Sequence, residues 1–479
     1  MRAMRLSGLA AALCVAGCAM GPDAPVPRLA AHAADAFVSR SPGADAARDL
    51  PDRWWQLYDD PALSALVDEA LRANTDLRVA LANLAIARAA VQEAQAGRWP
   101  TTQVGAGALY GRSLTADSIA AAFHGHAENQ TTRLASVDVS YELDLYGRVS
   151  RSIDAATADA LALEAARDAV RVTVAAETTR AYATARSAGR ELQVAQRSVQ
   201  IADDAVAIVV RQVAAGAASE FDLARVRVLA DQARAQVPAL EGRRRAAVFE
   251  LTALLGRIPA DAPMAQAYAI DESSPLRLAL PVGDGAALLA RRPDVRQAER
   301  RLAAATARID VATAALYPRV SLGASVGYAS NEVLKGSNAV TLALGPLISW
   351  SFPNQAVARS RISQSSAAAD AALAAFDGTV LRALKEVEQA ISGCEAERVR
   401  HDALADAEAS AALAFRLSRV RQREGVLSQL DLLTAEQTWL LARAALAASD
   451  TRVVDAQITL FKALGGGWQS AQAGVASVR

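Results

Sequence analysis

Hydrophobic and polar positions along this chain follow two rhythms, and each rhythm occurs twice. From Asp76 the apolar residues Leu77, Ala80, Leu81, Leu84, Ala85 and Val91, with Arg88 among them, recur at helical spacing. The pattern stops at Trp99-Pro100, because a proline disfavours a helical residue before it. The period then becomes two, with Val104, Ala106, Ala108 and Tyr110 on one face. The clearest alternation runs from Ala135 to Leu145. Ala135, Val137, Val139, Tyr141, Leu143 and Leu145 face one way, and Ser136, Asp138, Ser140, Glu142 and Asp144 the other. Strands of about ten residues, apolar on one side and polar on the other, suit a transmembrane barrel; a soluble sandwich strand alternates in the same way. Residues from about 149 to 213 contain no proline and mix alanines, aliphatics and charges. They predict one helix of roughly 95 Å at 1.5 Å per residue. A turn at Gly216 follows, then a helix running back to Gly256 that Pro238 is expected to bend.

The second half repeats this plan. A helical segment ends at Tyr317-Pro318; Leu322, Ala324, Val326 and Tyr328 share a face, as do Val340, Leu342, Leu344, Ile348, Trp350 and Phe352. A long helix is predicted from about 355 to 422, with a turn at Gly425 and a return to Gly465. Asp76/Asp294, Pro100/Pro318, Gly105/Gly323 and Tyr110/Tyr328 are each 218 residues apart. Asp168/Asp377, Gly216/Gly425, Ser219/Ser428, Asp222/Asp431 and Gly256/Gly465 are each 209 apart. Agreement at punctuating residues in one register predicts a duplicated structural unit. Glycine permits each turn, and Ser219 or Ser428 can cap the returning helix. The expected division is a signal peptide (1–17), an N-terminal segment (18–60), a first repeat (61–256), a linker (257–283), a second repeat (284–465) and a C-terminal tail (466–479). Helices this long form extended coiled-coil structure, not the core of a compact domain.

Composition narrows the picture. The 479 residues are 52% hydrophobic, 21% charged and 5% aromatic, with 51 basic against 51 acidic side chains. Lys335, Lys385 and Lys462 are the only lysines, and the arginines are scattered, so no basic stripe marks a nucleic-acid partner. Much of the hydrophobicity is alanine, which favours closely packed helices. At the start, Arg2 and Arg5 precede the apolar stretch Leu6 to Val15, then Val15-Ala16-Gly17-Cys18. The stretch is too short to span a bilayer. The small residues before Cys18 resemble the lipobox of bacterial lipoproteins, which predicts signal removal and a covalent N-acyl and diacylglycerol lipid on Cys18. Ala19 follows, where an aspartate would resemble an inner-membrane retention signal, so the lipid is expected in the outer membrane. Cys394 then has no partner and reads as a small apolar helix residue. Past the signal no uncharged apolar run is long enough for a membrane helix, so any crossing is made by strands closed into a barrel. Four strands cannot close around a water-filled lumen, so the chain is expected to oligomerise.

The residues also carry a family resemblance. Trp54-Trp55, Asp60-Pro61-Ala62-Leu63, Leu66, Ala70-Leu71, Asn74, Asp76-Leu77 and Ala80 resemble the opening of TolC-like outer-membrane channels, nearest the lipoprotein branch of efflux outer-membrane subunits (the OprM and NodT type). Arg292-Pro293-Asp294-Val295, Ala298-Glu299, Leu302, Tyr317-Pro318 and Leu322 resemble the family's second half. The resemblance covers essentially the whole mature chain. It implies an α+β membrane protein: a homotrimer with four strands per subunit in one twelve-stranded barrel, above a periplasmic tunnel of twelve helices. It further implies a periplasmic adaptor (membrane fusion) protein and an inner-membrane pump, usually proton-driven and of the resistance-nodulation-division class. The family closes its tunnel where the helix turns converge, which are here 216–222 and 425–431. Asp431 stands where family members place an inward acidic residue, and a trimer would carry a ring of three. Thr434 departs from the second aspartate the family often has, which weakens any double ring. Asp222 is a further gate candidate; helix N-terminal charge stabilisation is the structural alternative for both aspartates. Arg421 and Arg423, with Arg211 and Arg225, flank the turns and are candidates for ion pairs that hold the closed state.

His124-Gly125-His126 falls in the predicted loop between the first two strands; two histidines without other ligands are a weak metal set and read as surface. Gly105-x-Gly107 sits within a strand, and no nucleophile elbow, P-loop or zinc-protease motif occurs. No enzyme and no cofactor is expected beyond the lipid. The favoured reading is the gated, passive outer-membrane duct of an efflux pump exporting small toxic compounds. A type I protein-secretion duct of the same family is the near alternative. A non-pore, coiled-coil envelope lipoprotein is the distant one, against which the alternating strands speak.

Overall fold

The structure, a computed structural model, describes residues 32–39, 44–45, 50–112, 114–263, 280–331 and 335–468. Cys18, the signal peptide, residues 264–279 of the expected linker and the tail from 469 on lie outside the described residues. The chain divides into two units. One, the sheet unit, gathers Leu84–Leu163 and Ala298–Phe376; the other, the helical unit, holds the described residues of Leu29–Asn83, Glu164–Gln297 and Asp377–Arg479.

The helices are α1 (Pro61–Ala73), α2 (Thr75–Ala96), α3 (Leu114–Ala122), α4 (Arg148–Ala214), α5 (Glu220–Leu254), α6 (Gly285–Arg291), α7 (Pro293–Ala314), α8 (Ala356–Arg423) and α9 (Gln429–Ala463). At 67 and 68 residues, α4 and α8 are each about 100 Å long. The strands β1 (Thr101–Gly111), β2 (Gln130–Leu143), β3 (Arg319–Ser330) and β4 (Val340–Ser349) form one antiparallel sheet in that order.

Three details differ from the sequence expectation. The alternation through Leu145 overruns β2, which ends at Leu143, because Asp144 turns the chain into α4. Its carboxylate accepts from Val149 N, Ser150 N and Ser150 Oγ at 2.9, 2.8 and 2.7 Å. Trp350 and Phe352 likewise lie beyond β4. The connection between β1 and β2 is not a plain loop but contains α3, whose Ile-Ala-Ala-Ala run has high helix propensity. A two-residue parallel pairing of Ala44–Asp45 with Leu280–Pro281 also adds to the four strands. Helix α5 continues through Pro238.

In the helical unit, a core assembles around Trp54 and Trp55, both buried, with Leu63, Leu66, Val67, Val248, Leu251, Ile458, Phe461 and Leu464. Full burial of each such side chain contributes about 1.5–3 kcal/mol. Asp60 caps α1 by accepting from Ala62 N and Leu63 N at 2.9 and 3.1 Å, and its second oxygen accepts from Tyr182 Oη at 2.8 Å. Along α4 the buried positions are mostly small, including Ala175, Ala176, Ala181, Ala185 and Ala188, so its neighbours pack closely.

Two breaks tie this unit together. Buried Asn74 separates α1 from α2. Its Oδ1 accepts from Asp76 N and Leu77 N at 2.9 and 3.1 Å, and its Nδ2 donates to Leu254 O at 3.1 Å, at the end of α5. Buried Arg292 separates α6 from α7. It donates to both oxygens of Asp294 at 2.9 and 2.7 Å, to Glu386 at 2.8 Å, and to Ala463 O at 2.9 Å, at the end of α9. The donors Asn74 and Arg292 are 218 residues apart, and the acceptors Leu254 and Ala463 are 209 apart. In the sheet unit, Ala305 and Ile309 of α7 pack on Ala369 and Ala372 of α8, beside an Arg151–Asp310 ion pair of 3.2 Å.

Candidate functional site

The sheet is the first functional surface. Its register aligns Val104 with Val137, Val137 with Val326 and Val326 with Leu342. The neighbouring rung is Thr102, Val139, Ala324 and Leu344, and the next ones continue through Tyr141, Leu322 and Pro346 to Leu143, Val320 and Ile348. One face is therefore an apolar band across all four strands. It is bare: Val104, Leu342, Leu344 and Ile348 are 73, 78, 76 and 71% exposed. An apolar surface this continuous requires a hydrophobic surrounding.

The opposite face carries Gln103, Asp138 and Ser325 on one rung, and Gly105, Ser136, Gly327 and Thr341 on the next. Asp138 accepts from Ser325 Oγ at 2.6 Å and Ser136 Oγ at 3.0 Å, hydroxyl contacts that leave its charge uncompensated. Glu142 is neutralised instead: Arg148 grips it with two hydrogen bonds of 2.8 and 2.6 Å, and Arg319 lies at 3.8 Å. The polar face suits water and the apolar face lipid. Among the described residues, the outer edges of β1 and β4 pair with no further strand.

Aromatic rings mark the end of the sheet that leads into α4 and α8. Tyr146 stacks on Tyr317 at 4.6 Å between centroids, Trp350 stacks on Phe352 at 4.6 Å, and Trp99 is exposed. Trp350 also donates from Nε1 to Leu316 O at 3.0 Å. Such rings sit at membrane interfaces, apolar body in the acyl region and polar tip outside. In the sequence, Trp99-Pro100 reads as a helix stop, and Tyr317-Pro318 as a helix stop and part of the family resemblance, neither as an interface ring. The signal available was aromatic residues recurring at strand ends in a chain with few aromatics.

The second surface is the pair of helix turns in the helical unit. Gly216 and Gly425 have φ of 74° and 75°, where a glycine closes the turn without a Cβ penalty. Ser219 and Asp222 form a reciprocal capping box. Ser219 Oγ accepts from Asp222 N at 3.2 Å, and Asp222 accepts from Ser219 N at 3.1 Å and Ser219 Oγ at 2.6 Å. The Ser219 hydroxyl, its backbone N–H and nearby Arg225 hold the Asp222 carboxyl below the usual carboxylate range. Ser428 caps α9 similarly, accepting from Asp431 N at 3.1 Å and donating to Asp431 Oδ2 at 2.7 Å. Val209, Leu223 and Val226 pack together beside the first turn, and Leu433 of α9 packs on them, which brings the two turns side by side. Arg225 lies over the Phe221 ring at 5.8 Å. Among the described residues, Arg211, Arg421 and Arg423 form no ion pair within the subunit. Each aspartate thus hydrogen-bonds its own helix start, and among the described residues neither forms a direct ion pair with an arginine of the turns, Arg225 acting on Asp222 only through its nearby charge. Further along, a cavity of about 570 Å³ lies among α4, α5 and α9, lined by Ala202, Ala205, Val226, Leu433, Glu436 and Leu440. Burial lifts the Glu436 carboxyl above its ordinary range.

His124 follows α3 in a left-handed conformation (φ 61°), and both His124 and His126 lie outside any group of three metal-ligating side chains among the described residues. Cys394 is buried in the helical core, and burial pushes its thiol up to about 12. No described helix is long and apolar enough to cross a membrane.

Comparison with known proteins bears on both surfaces. The model of the outer membrane efflux protein family matches residues 66–257 and 286–466. The outer membrane protein OprJ of Pseudomonas aeruginosa is 33% identical over 475 residues, covering 97% of this chain and 96% of that protein. The solvent efflux pump outer membrane protein SrpC of Pseudomonas putida is 29% identical over 473 residues, covering 96% and 98%. Among solved structures, the outer-membrane channel OprN matches with a TM-score of 0.84 and 32% identity, over 94% of this chain and all of that one. The open state of the MtrE outer membrane channel of Neisseria gonorrhoeae gives 0.79 and 27%, over 94% and 99%.

Proposed function

This chain belongs to the outer membrane efflux protein family, and from that premise we propose that three copies close their sheets into one twelve-stranded barrel above a tunnel of long helices. It is an outer-membrane efflux channel of a Gram-negative bacterium, a duct and not an enzyme, and it works as one component of a pump. The observation that carries the trimeric reading is the bare, two-faced sheet with two unpaired edges. About eight strands leave a barrel filled by side chains. Twelve strands open a lumen, which the face of Gln103, Ser136, Asp138 and Thr341 would line with water. The equivalent grips of Asn74 and Arg292 on the ends of α5 and α9 support an internal duplication.

The remaining parts follow in the same frame. Cys18 carries the outer-membrane lipid. The turns at Gly216 and Gly425 gather at the periplasmic tip, where Asp431, with Asp222 secondary, forms an acidic collar that favours cations at short range. Arg421 and Arg423, without an ion pair among the described residues of the subunit, are available to a neighbouring copy and latch the closed state there. The apolar cavity among α4, α5 and α9 suits contact with a helical periplasmic adaptor. An inner-membrane pump of the resistance-nodulation-division class supplies the energy. Solvents, named for the relative SrpC, and antibiotics, named for the relative ArpC of Pseudomonas putida, are the cargo class this chain is expected to pass.

A strain deleted for this gene tests the reading. It is expected to become sensitive to small toxic compounds and to recover with the wild-type gene, and Cys18→Ser to recover it less well. Purified protein is expected to give discrete channels in planar bilayers, with more frequent opening after replacement of Arg421 and Arg423 by alanine. A protein missing from the culture medium without drug sensitivity would point to the secretion duct. No conductance at all would point to the scaffold.

A further inference from the structure

We propose that Arg133, at the outer end of the apolar sheet face, binds a phosphorylated lipid headgroup of the outer leaflet; this rests on the barrel reading above. Register puts Arg133 on the same face as Ala135, Val137, Val139, Tyr141 and Leu143, opposite Ala108 on β1 and Ser330 on β3. It is a cation on the lipid side of the wall. The rungs around it are Tyr110 with Thr131, and Ala106, Ala135, Tyr328 and Val340, so no carboxylate faces it from either neighbouring strand. Among the described residues Arg133 forms no ion pair, whereas Arg319 and Arg148 lie against Glu142 and Arg112 pairs with Asp117 at 3.4 Å.

Depth decides whether such a residue is tolerated. A lipid-facing arginine is costly at the middle of a bilayer and nearly free at its edge. Ten residues separate Leu143, at the helix end of β2, from Arg133. At about 3.4 Å per residue and a tilt of about 45°, that is roughly 24 Å along the membrane normal, the height of a barrel's apolar band. Arg133 therefore stands at the far edge of the band, away from the end that feeds α4 and α8. Tyr110 and Tyr328 flank it, both exposed on that face, as interface rings do. The guanidinium fork matches two oxygens of a phosphate. A free phosphate offers the same oxygens, but a lipid also lays acyl chains on Val104, Val137 and Leu342 directly below, so the lipid is the occupant with both contacts.

Purified wild type and Arg133→Gln, in detergent, would be incubated with bis-phosphorylated lipid A, with the same lipid stripped of phosphate, or with millimolar inorganic phosphate. Native mass spectrometry would then count lipid retained per chain. Wild type is expected to keep the phosphorylated lipid at least tenfold better than the stripped one, with Arg133→Gln losing that preference and Arg133→Lys, which keeps the charge but not the fork, falling between. Equal retention of both lipids by wild type, or unchanged preference in Arg133→Gln, would overturn the proposal. So would competition by inorganic phosphate at matched concentration, which would assign the site to the free ion. Planar-bilayer conductance of the same wild-type preparation separates the two readings: channels without lipid preference sink only the headgroup site, and absence of channels sinks the barrel.

Discussion

Replacing Arg292 by methionine keeps an apolar stem of similar length and removes a guanidinium that serves Asp294, Glu386 and the Ala463 carbonyl at once. Arg292 is only 7% exposed, so water cannot substitute for it. Taking one partner from a buried ion pair costs about 3–5 kcal/mol. Here the side chains of Asp294 and Glu386 are 36% and 39% exposed, so solvent recovers part of that cost. The carbonyl of Ala463 adds about 1 kcal/mol for a lost donor. The expected net destabilisation is about 2–4 kcal/mol. Urea unfolding followed by far-UV circular dichroism in detergent would read it as a lower midpoint at unchanged slope. Glu386→Gln alone is expected to cost less, and the double variant less than the sum, because the two side chains share one contact. The pH dependence gives an independent check. Burial pushes the Asp294 carboxyl up, and the hydrogen bonds and charge of Arg292 more than cancel this, leaving it below the usual range. A depressed carboxylate contributes stability above its unfolded value that is lost as pH falls through the folded one. The wild type should therefore lose stability below about pH 4, where an unfolded aspartate takes its proton, more steeply than Arg292→Met. A midpoint change worth under about 0.5 kcal/mol, the scatter of ordinary surface substitutions, would refute the reasoning.

Other consequences are as direct. Gly256→Ala places a Cβ 2.7 Å from the Ala73 carbonyl at a backbone φ of 67°, so the midpoint should fall by at least the ~1 kcal/mol of the left-handed conformation, and an unchanged midpoint would remove the argument. The Cys394 thiol is raised to about 12, so it stabilises the fold below its unfolded value and that contribution is lost as pH rises toward 12; Cys394→Ala should flatten the alkaline limb, and folded wild type should resist maleimide at pH 8 until urea is added. Asp138→Asn removes the uncompensated charge of the polar face, and the reversal potential in a salt gradient should shift away from cation preference, while Ser325→Ala should shift it far less.

Much of the wall was legible because periodicity is local. Val137 and Leu342 alternate with polar neighbours whatever they pair with, and the glycines at 216 and 425 announce turns because few other residues take a positive φ. The ends of those segments were not legible. The alternation runs on through Leu145, but Asp144 binds the first turn of α4 and takes the chain out of the sheet two residues earlier. The gate candidates were legible as residues and not as contacts. Asp222 and Asp431 look alike in the sequence as helix starts or as pore charges, and in the subunit both face back onto their own capping serines.

The sequence by itself determined the strands' two faces, the long helices, the turns and the family, since each depends on residues within a few positions of one another or on a pattern carried along the chain. Only the tertiary structure decided which strand lies beside which. That choice brings Ser325 to Asp138 across 187 residues and places no carboxylate beside Arg133 on either neighbouring strand. It also decided how the helix ends are held, with Asn74 reaching Leu254 across 180 residues and Arg292 reaching Ala463 across 171. A period says which way a side chain points. What it meets there depends on loop closure and packing over the whole chain, which no local pattern encodes.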